Sequence, residues 1–150
     1  IPSMQSQSIS DRPEDPEQLA RWDNVAYAME KAPEALAAAG FPREKIDAVV
    51  EAIRTHQPAA RPATMEGTIV RDADILEQLG AIGILRQACK VGRDTRFTTF
   101  TPAVNSLRKA LETLPALIAL DSTRRLAQPR ISALRTFLEA VDRESGSALY

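Results

Sequence analysis

Three side chains in this sequence are placed to do polar chemistry from apolar surroundings: Asp72, Asp74 and His56, the last being the only histidine. Both aspartates lie in the stretch EGTIVRDADILEQLGAIGILR, running from Glu66 to Arg86. A carboxylate inside an apolar helical pattern is costly to desolvate unless it is paired or used. Carboxylates and imidazoles are also the groups that hold divalent cations, orient water and move protons. The competing explanation needs no chemistry. Either aspartate would pair with Arg71, Arg86 or a helix N-terminus as a structural ion pair, and a lone histidine is commonly a hydrogen-bonded structural residue.

Helical geometry separates the two aspartates. Residues two apart point about 200° away from each other around a helix, so Asp72 and Asp74 do not both line one small pocket unaided. One is expected at the site and the other behind it. Asp72 lies along the stripe of Ile69, Leu76 and Leu79, whereas Asp74 shares a face with Val70, Arg71, Glu77 and Gln78. Periodicity therefore favours Asp72 as the buried member.

The elements that must position these groups read as helices throughout. Residues 1–14 are rich in Ser, Gln and Pro and read as a flexible arm, followed by a helical region over residues 15–150. Asp15 and Pro16 offer a cap and a first-turn proline to a helix carrying Leu19, Trp22, Ala26 and Met29, with a break expected near Ala32 because of Pro33 and a stop at Gly40. Phe41 and Pro42 open the next helix, whose stripe of Ile46, Val49, Val50 and Ile53 carries on to His56 at its end. Pro58 and Pro62 impose a loop, and Thr64 caps the helix bearing both aspartates. Gly80 and Gly83 permit a bend or a close helix contact, and Gly92 ends the following element. Val104, Leu107, Leu111 and Leu114 mark one further helix and Ile131, Leu134, Leu138 and Val141 the last, with Pro129 expected to start or kink it. No stretch alternates in the manner of a strand. The fold class is all-α, a single compact bundle of about five to seven helices.

The bulk numbers narrow the function classes. A chain of 150 residues suits one domain, and a net charge of -1 from 19 basic and 20 acidic residues leaves no polyanion-binding excess. Nucleic acid is accordingly an unexpected partner. The only local basic cluster is Lys90, Arg93 and Arg96, which would either clamp a phosphate or form a solvated helix end. The single Cys89 excludes an intrachain disulfide, falls in an apolar pattern that suggests a buried, inert thiol, and fits a reducing cytoplasm. No apolar run approaches the roughly 20 residues that cross a bilayer.

The DAD and GAIG elements, together with AIRTH ending at His56, resemble the HD domain superfamily of metal-dependent phosphohydrolases, in particular its small bacterial hydrolases. The similarity covers roughly residues 41–91. In that superfamily an early histidine, a His-Asp pair and a downstream Ala-Asp aspartate hold the metal. By their charge Lys90, Arg93 and Arg96 could bind a substrate phosphate. The resemblance implies His56 as a catalytic group facing substrate phosphate or metal-bound water, Asp72 as a supporting or substrate-facing one, and Asp74 as the metal ligand. That choice runs against the periodicity, which points to Asp72. The implied cofactor is a divalent ion (Mn, Fe, Ni or Mg), and the implied substrate a small phosphorylated or nucleotide molecule. The chain has no His-Asp dipeptide and no second histidine, and it begins with Ile1. The missing ligands are expected in an upstream segment or a second chain. The alternatives are a degenerate helical binding module, with Trp22 and Phe137 at an interface, or an HD-type hydratase or oxygenase.

Overall fold

The computed structural model describes Gln18, residues 21–93 and residues 97–146. The expected arm over residues 1–14, the Asp15–Pro16 cap and Arg96 lie outside the described residues. Six α-helices are seen among the described residues: α1 Asn24–Ala38, α2 Ile46–Arg54, α3 Met65–Gln78, α4 Gly80–Ala88, α5 Phe100–Thr113 and α6 Asp121–Ser145. Short 3-10 turns at Arg43–Lys45 and Pro115–Leu117 precede α2 and α6, and no strand occurs among the described residues. The all-α expectation holds.

Caps explain most of the boundaries. Asp23 starts α1, its Oδ1 accepting from the amides of Val25 at 2.9 Å and Ala26 at 3.0 Å. Trp22 therefore precedes this helix and is not part of it; its ring packs on Tyr27 with centroids 5.5 Å apart. At the other end Gly40, at φ 74°, allows the Phe41 amide to bond Leu36 O and its own amide to bond Ala37 O.

The two proline expectations need correction. Pro33 lies inside α1 and Pro129 inside α6, which begins eight residues before it. A proline deletes one backbone bond and crowds the preceding turn, yet α6 extends over 25 residues and buries Thr123, Ala127, Leu134 and Leu138 on one side. Packing along that length outweighs the local loss.

The core joins α3, α5 and α6. Ile75, Leu79, Leu107, Ile118, Ala127, Leu134 and Leu138 are buried together, with Ile84 of α4 and Phe137 packed against them. Each fully buried aliphatic side chain contributes about 1.5–3 kcal/mol. α4 lies against both α5 and α6, while α1 packs on α2 and α2 on α3. The first two helices bury no residue completely. Among the described residues no helix is long and apolar enough to cross a membrane.

Cys89 is exposed, contrary to the buried thiol expected. It caps α4, whose buried residues are Gly80 and Gly83 on the opposite side of a short helix.

Candidate functional site

The orientation of α3 decides the fate of the DAD segment. Thr64 caps it, Oγ1 accepting from the Gly67 amide at 3.1 Å. Its buried residues are Gly67, Arg71, Asp72 and Ile75, while Ile69, expected inside, is 51% exposed. The inward face thus carries a charged pair in place of one of its aliphatic positions. Aliphatic spacing alone misjudged the face because it counted Ile69 and not Arg71.

Asp72 is fully buried, as the periodicity indicated. Its Oδ2 accepts from the Leu120 amide at 2.8 Å, both oxygens lie within 3.2 Å of the Ala119 amide, and Oδ1 meets Arg71 Nη2 at 3.2 Å. Leu120 is the N-cap of α6. The carboxylate therefore sits at the amide-rich start of a long helix, where negative charge is favoured. In this arrangement its oxygens are occupied by protein donors.

Asp74 is half-buried and accepts from Gln78 Nε2 at 2.7 Å through Oδ2. It lies one turn beyond Val70 on the same face of α3. Val70 lines an open cleft of about 340 Å³ together with Asn24, Val25, Ala28, Ile53 and His56. The cleft is formed where α1, the end of α2 and α3 meet.

His56 is half-buried just past α2, and its Nδ1 lies 2.6 Å from Ile53 O. A carbonyl can only accept, so Nδ1 carries the proton, and of the two neutral tautomers the contact selects the one whose lone pair is at Nε2. Upstream, Glu51 and Arg54 are joined by two hydrogen bonds at the helix end, which hold the Glu51 carboxyl below its ordinary range.

The cleft lining includes His56 and Val70, but neither Asp74, one turn further along α3, nor the basic cluster. Lys90 places Nζ 5.5 Å from the Phe97 ring centroid, and Arg93 is exposed beyond α4; neither lines the cleft. Arg71 was passed over as a functional candidate. Nη1 donates to Ala60 O at 3.0 Å and Nη2 to Leu117 O at 2.9 Å. The available signal was its i,i+4 spacing from both Gly67 and Ile75, which places all three on one face.

Among the described residues no three His, Cys, Asp or Glu side chains converge as a metal-ligand set. His56 is the one such side chain in the cleft lining, and Asp74, bound by Gln78, lies a turn beyond Val70. Tight binding of a divalent ion needs several ligands in fixed geometry. The described residues do not fit a complete metal centre.

No family model matches the chain, and no curated protein matches it. Solved structures do. The crystal structure of Bacillus subtilis YpgQ in complex with ADP aligns with a TM-score of 0.63 and 23% identity, over 79% of this chain and 64% of YpgQ. A Lactobacillus plantarum protein aligns with a TM-score of 0.64 and 22% identity, over 85% of this chain and 71% of that one. The chain thus spans less than two thirds of the length of YpgQ, and the likeness is one of fold.

Proposed function

We propose that this chain forms part of an HD-type metal-dependent phosphohydrolase acting on a small phosphorylated substrate of the nucleotide class. The observation that carries this reading is the division between the two aspartates. Asp72 is consumed by Arg71 and two backbone amides, leaving Asp74, half-buried and one helical turn beyond the cleft-lining Val70, as the more accessible carboxylate. Of the two roles the family resemblance leaves to Asp72, supporting or substrate-facing, its burial favours the supporting one.

In this reading Asp74 contributes one ligand to a divalent ion (Mn, Fe, Ni or Mg), and the other donors come from outside the described residues or from a second chain. His56, held with its lone pair at Nε2, accepts a proton or meets the substrate. Arg93, exposed beyond α4, and Lys90, beside the Phe97 ring, do not line the cleft, so the contact to substrate phosphate is not assigned to them. The ADP held by YpgQ, a protein of like fold, supports the substrate class.

Calorimetric titration of manganese into the gene product as the cell makes it tests the reading. Binding that is lost in Asp74→Ala and largely kept in Asp72→Asn supports it; binding unchanged by Asp74→Ala contradicts it. A second reading, a non-catalytic interaction module, draws on Met65, Ile69, Ile82 and Leu85, each more than half exposed. Absence of both metal and ADP binding would favour it.

A further inference from the structure

We infer that Arg71 is a positioning residue for the cleft, holding the loop that carries His56 in register with the Asp74 face of α3. The inference deepens the proposed function and uses its site, but rests on geometry that activity does not define.

Between α2 and α3 the chain runs from Thr55 to Thr64 with His56 at its start. Two side-chain positions on one face of α3 hold this loop. At Gly67 a Cβ would stand 2.9 Å from Pro62 Cβ and 3.2 Å from Thr64 Oγ1, so the loop lies against bare backbone. One turn on, Arg71 reaches back to Ala60 O with Nη1. Its Nη2 is bound to Leu117 O and Asp72 Oδ1, which fixes the guanidinium from the other side. Arg71 Nε has no partner, so all the anchoring passes through the two terminal nitrogens.

This fork spans three segments: the His56 loop, α3 and the turn leading into α6. A lysine keeps the charge beside Asp72 but supplies a single point donor, unable to reproduce the planar fork. Without the bond to Ala60 O, the middle of the loop keeps its local turn, Ala60 N to Gln57 O at 2.9 Å, while the remaining ties to α3 sit at its far end, in the packing at Gly67 and the Thr64 bonds to Gly67 and Thr68. His56 then loses its fixed place beside Ile53 and Val70.

Because His56 is the only histidine, its ring nitrogens give one resolvable NMR signature. Arg71→Lys is expected to erase the Nδ1–H tautomer signature and to speed hydrogen exchange at the Ala60 amide at least tenfold. Gly67→Ala, which pushes on Pro62 without touching any charge, should disturb the same two signals and decides the matter if the lysine variant does not fold. Arg130→Lys serves as control, since Arg130 Nη1 binds Leu76 O on the far side of α3 and should leave His56 unmoved. A folded Arg71→Lys protein with an unchanged His56 signature and Ala60 exchange overturns the inference. That result would leave the hydrolase reading intact, just as an absence of hydrolysis would leave these NMR outcomes in force.

Discussion

Replacing Asp72 by Asn leaves the Arg71 guanidinium buried without its counter-charge, a loss of about 3–5 kcal/mol where a buried pair is broken. The expected result is a large fall in the urea midpoint. Asp74→Ala, at a half-exposed position with one side-chain partner, should stay within about 0.5 kcal/mol of the parent in the same experiment. Their contrast separates the buried aspartate from the available one by stability alone. The Glu51–Arg54 pair gives a smaller effect with a defined sign. The Glu51 carboxyl is lowered chiefly by its hydrogen bond from Arg54, so its stabilisation is present above the ordinary glutamate range and fades as pH falls below it. Both side chains reach solvent, and the acid-side change should be slight and abolished in Glu51→Gln. The burial of Asp72 was legible in its spacing. The partners that consume it were not, because Ala119 and Leu120 lie 47 and 48 residues away and act through backbone amides that no side-chain pattern reports.

At the scale of elements, glycines and prolines carried opposite lessons. Gly80 joins α3 to α4 at φ 74°, with the Arg130 Cβ 3.0 Å from where its own Cβ would stand. Gly80→Ala should therefore destabilise by about 1–3 kcal/mol, from backbone strain and crowding together, read as a lower thermal midpoint. Its bend was foreseeable because both helices flanking it were periodic. Pro129, expected to start or kink the last helix, does not start it and is an exposed interior residue of α6. Pro129→Ala restores an amide for the preceding turn and should raise the thermal midpoint, the helix-interior penalty being about 3 kcal/mol. A proline marks a helix end only when tertiary contacts on both sides are too weak to carry the helix through it. Here Ala127 and Leu134 are wholly buried on either side.

For the molecule as a whole, helical periodicity was enough for the all-α class and for the placement of the DAD segment on α3. The cleft was not foreseeable, since it arises where α1 and the end of α2 meet Val70, and those contacts depend on packing between helices. The basic residues after α4 were candidates by charge alone, and the described Lys90 and Arg93 do not line the cleft. In the proposed hydrolase Asp74, and not Asp72, serves phosphoryl-group hydrolysis. Phosphate release from a panel of nucleoside mono- and diphosphates with manganese, by the gene product as the cell makes it, tests that claim most directly. The account predicts turnover of at least one substrate that Asp74→Ala lowers at least a hundredfold while the protein's thermal midpoint holds; full turnover in a folded Asp74→Ala protein, or none in the parent, would contradict it.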